Sequence, residues 1–474
     1  MIRTPGLFER PRRAHLVGAG GVGMSSLGQA LLHEGHRVTG SDAADSARTR
    51  TLRDLGATIH VGHAAANLPP DCDLVVVTAA VDRKNPEIAA ALALEIPIVK
   101  YAQALGELMA RKRGVCVAGC HGKTTTTGLL TWLLVQGGLD PSMVIGGDAA
   151  FLGGNFRAGR GPHLVAEACE FDRSFLHLAP QAALVTNIDA DHLDYYRDLH
   201  EIEGAFQDFA RLVPVDGYLA TLNEHERVFR ADGIQCEVET FGLRGNADWV
   251  ASEWRRTDGI TYFRIRHGED DLGIFELRLA GLHNVCNALG AVAIADHLGL
   301  DLVKTVRPAL VEYRGVDRRM TVRYEGHGVV VLDDYAHHPR EIAAVLTALR
   351  DEFPSRRIVV VFQPHQASRT RTHLREFATS LELADRVFVP DIYCARDSDE
   401  DRQAVHAVDL VRTAANRGVD VTYVEDLRDV APQILREIRV ADLIVTMGAG
   451  SVWEVSRDLA ERLRGFDREV IAAQ

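Results

Sequence analysis

Short runs of branched apolar residues alternate with longer amphipathic stretches along the whole of this chain. Near the start, His15-Leu16-Val17 precedes a helical pattern from Met24 to His33, and Leu74-Val75-Val76-Val77 precedes another from Pro86 to Leu94. Strands separated by helices of this length predict βαβ units and a parallel sheet. Ile98-Val99 and a helix over Tyr101–Arg111 close this unit, which sets a boundary near residue 112. A second unit opens with the apolar run Val115–Ala118, which enters a glycine turn and then an apolar helix to Val135. Leu164–Ala166 and Ala183–Val185 add strands, a strand-rich stretch runs from about Trp249 to Leu279, and a helix begins at Asn284. After a basic turn at Arg318-Arg319, a third unit carries strands at Val329–Leu332, Ile358–Val361, Val387–Val389 and Leu443–Val445. The pattern predicts three successive α/β domains over residues 1–112, 113–320 and 321–474.

Composition agrees with cores of that size: 474 residues, 46% hydrophobic and 25% charged. The formal charge of -13 argues against a surface that wraps nucleic acid or binds anionic lipid, so any phosphate site must be local. No uninterrupted apolar stretch approaches the roughly 18 to 20 residues of a membrane span, and the start, Met1 to Gly6, lacks the apolar core of a secretion signal. A cytoplasmic protein is therefore expected, with no nucleic-acid or membrane partner, as a monomer or homodimer. The seven cysteines are odd in number and scattered, which suits reduced thiols. Cys116 and Cys120 are the one close pair, without a second ligand pair nearby to make a zinc site.

The strongest chemical signal is the turn Gly119-Cys120-His121-Gly122-Lys123-Thr124-Thr125, between a strand and a helix. Such a turn aims several backbone amides at one point, where the helix dipole also favours an anion. Lys123 would add charge to terminal phosphates, and the hydroxyl of Thr124 or Thr125 could ligate magnesium. Only Cys120 and His121 separate the two glycines, so this is a shortened phosphate loop; the alternative is an ordinary turn with a solvated lysine. Gly18-Ala19-Gly20-Gly21-Val22-Gly23 follows the first strand, with Asp42 about 20 residues on. That layout is open to a nucleotide sugar, a nicotinamide dinucleotide or a purely structural turn.

Other polar residues stand at predicted strand ends, which in a parallel sheet open on the ligand crevice. Glu167 and Glu170 lie in or just after the strand Leu164–Ala166, and Asp189, Asp191 and His192 follow Ala183–Val185. Glu167 is the oxygen ligand magnesium prefers and His192 could hold a second cation, though capping would explain one or two of the set. Asn284 and Asn287 share a helix face and could meet an adenine or ribose, or serve as caps. In Asp333-Asp334-Tyr335-Ala336-His337-His338-Pro339, the proline suits the first turn of a helix, which favours a structural or nucleotide-contacting role over a metal site. Arg369 and Arg371 could clamp a carboxylate or form a solvated face.

Together these segments resemble the Mur ligase family over nearly the whole chain. The resemblance rests on Gly119–Thr126, on the run Thr186-Asn187-Ile188-Asp189-Ala190-Asp191-His192-Leu193-Asp194, and on Gly281–Ala288, in that order. Gly23-Met24-Ser25, Asp333–Pro339, Phe362–His365, Ser368–Arg371 and Met447–Gly450 are most similar to its alanine-adding members. The family implies a Rossmann-like N-terminal domain for a UDP-sugar, a central P-loop ATPase-like domain with a parallel sheet, and a Rossmann-like C-terminal domain for the amino acid. It implies ATP and Mg2+, with UDP-N-acetylmuramate and L-alanine as the other substrates, joined through an acyl phosphate. A peptide-adding recycling ligase on the same sugar nucleotide and, in another class, an NAD-dependent oxidoreductase are the alternatives.

By this resemblance Lys123, Glu167, His192 and Arg319 are catalytic, with Thr124, Glu167 and His192 as metal ligands. Gly119, Cys120, His121, Gly122, Lys123, Thr124, Thr125, Asn284, Asn287, Arg319, Asp334 and His338 would bind ATP. Gly20, Gly21, Val22, Gly23, Met24, Ser25, Asp42 and His121 would bind the UDP-sugar, and His365 and Arg369 the amino acid. Two departures stand out. Gln366 occupies a place where many relatives have arginine, and Glu201-Ile202-Glu203-Gly204 occupies the region where sister ligases carry a carbamylated lysine. Glu203 is expected to supply that negative charge directly.

Overall fold

The computed structural model describes residues 6–78, 81, 84–193, 195–395 and 397–472. The N-terminal segment read for a secretion signal, up to Pro5, and Asp194, the last residue of the Thr186–Asp194 run, lie outside the described residues. Among those described, the strands form three sheets. The first contains β1 (Arg13–Val17), β2 (Arg37–Asp42), β3 (Thr58–Val61), β4 (Leu74–Val77) and β5 (Ile98–Lys100), in the order β3-β2-β1-β4-β5, all parallel. β1, β2 and β4 each feed an α-helix, Val22–His33, Ala47–Asp54 and Pro86–Ala93, that leads to the next strand of the sheet, as the alternating pattern requires.

The second sheet contains β6 (Arg113–Ala118), β7 (Ser142–Ala149), β8 (Gly154–Arg157), β9 (His163–Ala168), β10 (Pro180–Val185), β11 (Tyr218–Leu222), β12 (Glu237–Gly242), β13 (Trp249–Thr257), β14 (Ile260–His267) and β15 (Asp270–Leu277). Their order is β15-β14-β13-β12-β11-β10-β6-β9-β7-β8. The parallel core runs from β13 to β7, and antiparallel pairs extend it at both edges, so the sheet is mixed rather than parallel throughout. Short turns at Asp258-Gly259 and Gly268-Glu269 leave no room for crossover helices, which forces β13–β15 into antiparallel hairpins.

The third sheet contains β16 (Thr321–Gly326), β17 (Val329–Asp334), β18 (Arg357–Phe362), β19 (Arg386–Pro390), β20 (Val421–Val424) and β21 (Asp442–Met447), in the order β16-β17-β21-β18-β19-β20. Apolar cores cover both its faces, one around Leu346, Phe362 and Phe377 and the other around Val331, Ile444 and Leu459. Such double burial explains the near-continuous Val and Ile runs of these strands.

The chain nevertheless divides into two compact units. One holds the first two sheets, in residues up to Ala190, Tyr195–Arg278 and Val285–Arg314; the other holds Asp191–Asp194, Leu279–Asn284 and Gly315 onward. Within the first unit, Asn155 of β8 joins the helix Val22–His33. Its side chain donates to the Val22 carbonyl at 2.9 Å and to Ser25 Oγ at 2.7 Å, and accepts from Gln29 Nε2 at 2.9 Å. Tyr101 and Phe156 pack against the cores of both sheets.

Candidate active site

The turn after β6 is built around two glycines in the left-handed region, Gly119 at φ +132° and Gly122 at φ +80°. A β-carbon on Gly119 would stand 2.1 Å from Thr186 Oγ1, and one on Gly122 would stand 2.8 Å from Asn287 Oδ1. Conformation and space therefore both exclude a side chain. The end of the neighbouring strand β10 fixes the turn. Asn187 accepts from the His121 amide at 2.8 Å and donates to the His121 carbonyl at 2.9 Å, while Thr186 Oγ1 donates to that carbonyl at 2.6 Å. Cys120 exchanges sulfur contacts with the backbone of Asp189 and is buried, so its side chain is structural. His121 Nε2 lies 3.1 Å from Asp189 Oδ2.

Helix Lys123–Gln136 starts directly from Gly122 without a side-chain cap, which leaves its first amides to the turn. Thr124 and Thr125 are buried in its first turn, and the Thr125 carbonyl accepts from Tyr313 Oη at 2.9 Å. Lys123 does not extend into solvent, as the alternative of an ordinary turn would have it. Its ammonium donates to the carbonyls of Gly119 at 2.5 Å and Cys120 at 3.1 Å, and reaches both oxygens of Glu170, at 2.9 and 3.2 Å. Burial opposes the charge, but the Glu170 carboxylate outweighs it and holds the ammonium above its ordinary pKa. Glu170 itself is almost fully buried.

Glu167 lies within β9, which runs to Ala168, and Glu170 lies just after it. One of the Glu167 oxygens accepts from the Gly146 amide at 2.5 Å, so close that a β-carbon on Gly146 would lie 2.7 Å from the carboxylate and push it aside. Thr124, Glu167 and Glu170 give this unit hydroxyl and carboxylate oxygens around the turn, a donor set that fits magnesium. Asn287 adjoins Gly122, whereas the amide of Asn284 is spent on the Ala280 carbonyl at 2.7 Å, four residues earlier. Glu203 does not present an open charge: Arg227 Nη2 binds it at 2.8 Å.

At the first glycine turn, Gly20 and Gly21 precede a helix that begins at Val22. Asp42 shapes this turn, accepting the Gly20 amide on one oxygen at 2.8 Å and the Ala44 amide on the other at 3.2 Å. Gly23 packs against the ring of Tyr101, where a β-carbon would lie 3.1 Å away. Met24 and Ser25, expected beside a ligand, are turned inward by the early helix start. Met24 is in the core of the first sheet, and Ser25 is fully buried and bonded to Asn155. Of the residues expected to bind the UDP-sugar, Gly20 to Gly23, Asp42 and His121 keep partial or full exposure.

The second unit carries the other expected residues. The paired arginines separate cleanly. Arg318 is consumed by Asp333 at 3.2 Å and by the carbonyls of Gly448 and Gly450 at 2.6 and 3.3 Å. Both guanidiniums lie 5.0 Å from the Tyr335 ring, but that of Arg319 makes no hydrogen bond among the described residues. Arg371 likewise pairs with Asp401 at the surface, 3.2 Å away. Arg369, buried on the helix Ala367–Thr372, meets Asp191 at 3.4 Å and contacts His365, whose ring stacks on Tyr393 at 5.6 Å. Burial opposes ionisation of Asp191, but His192 and Arg369 hold it well below the ordinary range. His192 itself adopts φ +55°, and Gln366, before the Arg369 helix, adopts φ +70°; these are strained backbones of the kind that cluster at functional sites. His338 is buried, 5.0 Å from the ring of His373, and caps the helix Pro339–Glu352.

Asp334, also buried, is pushed up to about 6 because desolvation exceeds the help of the Arg319 charge and of the Ala336 and Met320 amides. With the folded value above the unfolded one, its neutral form favours folding at low pH, and that contribution disappears as pH rises through about 6. The stability of the protein relative to Asp334→Asn should thus fall by up to about 3 kcal/mol between about pH 4 and about pH 7. Urea unfolding at several pH values measures it, and a pH-independent difference would contradict the perturbed carboxyl.

Family models match most of the chain: Mur ligase family, catalytic domain, over residues 13–113; Mur ligase middle domain over 117–295; and Mur ligase, glutamate ligase domain, over 318–450. The chain belongs to the Mur ligase family. Among Mur ligases it is 41% identical to the UDP-N-acetylmuramate–L-alanine ligase of Myxococcus xanthus, over 98% of each chain. It is 39% identical to that of Caldanaerobacter subterraneus, over 96% of this chain and 98% of the relative. Its fold is similar to that of the UDP-N-acetylmuramate-alanine ligase of Thermotoga maritima, with a TM-score of 0.82 and 31% identity over 96% of this chain and 99% of that one. A murein peptide ligase of Psychrobacter arcticus follows at a TM-score of 0.71 and 26% identity, over 94% and 98%. Sequence reasoning noted Glu170 without assigning it a partner, and it missed Asn155, Tyr101 and Gly146. Each acts through a contact with a distant segment, and nothing in its local sequence signals that.

Proposed function

We propose that this chain joins L-alanine to the lactyl carboxylate of UDP-N-acetylmuramate at the expense of ATP, releasing ADP and phosphate. The observation that carries the reading is the Lys123 ammonium, held in the mouth of a double-glycine turn by the Gly119 and Cys120 carbonyls and by Glu170. Near-full-length likeness to alanine-adding ligases supports the choice of substrates. Residues 1–112 then serve the UDP-sugar through the amides of Gly20–Gly23, residues 113–320 serve ATP, and residues 321–474 serve the amino acid. The reaction belongs in the cytoplasm, where both nucleotides are made; among the described residues no helix is long and apolar enough to cross a membrane.

Moving a phosphoryl group from one anion to another requires charge neutralisation and alignment above all. The Gly119–Thr125 amides and Lys123 take the terminal phosphates of ATP, Asn287 flanks the turn, and Arg319 meets the transferred group with a guanidinium that makes no hydrogen bond among the described residues. In the first unit Thr124 and Glu167 are the residues that would hold magnesium, which would supply positive charge to the phosphoryl oxygens; in the second, His192 is the candidate cation ligand. The carboxylate of the sugar nucleotide accepts the phosphoryl group, the alanine amine attacks the resulting acyl phosphate, and phosphate departs as the amide forms. Arg369 and His365 hold the alanine carboxylate.

Incubation with UDP-N-acetylmuramate, ATP, magnesium and a panel of amino acids plus the cell-wall tripeptide tests the proposal by mass spectrometry of the product. The expected outcome is one alanine adduct per ADP formed, suppressed by a chelator. Preferential addition of the tripeptide would move the chain to the recycling branch, and nucleotide-sugar-independent ATP hydrolysis would remove the reading.

A further inference from the structure

An ammonium has three protons to donate, and Lys123 commits all three within the protein: to the Gly119 carbonyl, to the Cys120 carbonyl and to Glu170. The two carbonyls belong to the same short turn as the lysine, so they move with it. Glu170 belongs to the segment after β9. Its backbone is fixed independently, because the Tyr196 hydroxyl donates to its carbonyl at 2.5 Å and the Arg173 amide does so at 3.0 Å. The next residues are rigid in an unusual way: Asp172 and Arg173 both occupy the left-handed region, at φ 55° and 52°, and Asp172 is tied to Lys100 at 2.5 Å. A phosphate arriving at the turn therefore meets a lysine with no proton left to give. It gains one only if the Glu170 side chain swings away while its backbone stays in place.

We propose that Glu170 is a latch on the phosphate-binding lysine: its carboxylate holds the Lys123 ammonium in the empty protein and is displaced by the terminal phosphates of an incoming nucleotide. This rests on the reading of Gly119–Thr125 as the nucleotide turn. The exchange replaces one anionic partner by another, so the buried ammonium is paired before and after. Because carboxylate and phosphate compete for one cation, the latch weakens nucleotide binding and, by the same competition, promotes product release.

The test is calorimetric titration of ADP, in the presence of a chelator, into the full-length protein and its Glu170→Gln, Glu170→Asp and Lys123→Ala variants, each checked for cooperative unfolding. Glu170→Gln should bind ADP on the order of tenfold more tightly than the unaltered protein. Glu170→Asp keeps the charge but withdraws it by one methylene, and it should tighten binding by about threefold. Equal or weaker binding in Glu170→Gln overturns the latch. So does tightening in Glu170→Gln with none in Glu170→Asp, since net charge alone would then be acting; if the glutamine variant fails to fold, the aspartate variant decides. ADP binding that is indifferent to Lys123→Ala would instead sink the nucleotide-turn reading.

Discussion

Replacing Lys123 with alanine is expected to lower ligation by about a thousandfold or more, because the turn then has no mobile positive charge for the phosphoryl group in flight. The same change should also destabilise the protein. Lys123 and Glu170 form a buried ion pair at 2.9 Å, and removing one partner strands a carboxylate that is only 1% exposed. Breaking such a pair costs about 3 kcal/mol. Part of that cost is avoidable by protonation, so the loss should be smaller at about pH 5 than at about pH 8: the stranded carboxyl has a raised pKa, and the stability of its neutral form fades as pH rises. A second change, Glu170→Gln, should restore stability without restoring turnover. Thermal unfolding of the two variants at both pH values, beside a coupled ADP-release assay, separates the effects. Near-normal turnover in Lys123→Ala would refute the catalytic assignment; recovery of activity in the double variant would do the same.

The second large effect is expected at Arg369. Truncation to alanine should raise the KM for L-alanine by about a hundredfold or more, since it removes paired charge-assisted hydrogen bonds to a carboxylate, while the KM for ATP stays within about twofold. Arg369→Lys should recover only part of the loss, because an ammonium cannot present two parallel donors. The variant also leaves Asp191 buried beside its histidines without a guanidinium, so a drop in stability accompanies the change in KM. Initial-rate kinetics with each substrate varied in turn distinguishes these outcomes. A kcat defect with an unchanged KM for alanine would place Arg369 in phosphoryl transfer instead.

Much of the architecture is legible from local pattern. Alternating apolar runs and amphipathic stretches mark most of the parallel strands and their helices, and the turn chemistry of Gly119 and Gly122 is readable because only glycine tolerates those backbone angles. Side-chain identity at strand ends is equally readable, so Glu167, His192 and Arg369 can be named before any coordinates. Where two like residues sit side by side, sequence has no means of choosing. Arg318 and Arg319 are chemically equivalent on paper, yet Asp333 and two carbonyls consume the first and leave the second on Tyr335. Arg369 and Arg371 divide in the same way between a buried aspartate and a surface one.

The sequence by itself determined the order of elements, the glycine turns and the kinds of chemistry placed at their ends, because these depend on backbone preferences and periodicity within a few residues. Tertiary structure alone decided that Lys123 is clasped by Glu170, that Met24 and Ser25 face inward, that Glu203 is neutralised by Arg227, and that the first two sheets share one compact unit. Each of those outcomes depends on segments distant in the chain competing for the same donor, acceptor or volume, and the winner is set by where the fold brings them together.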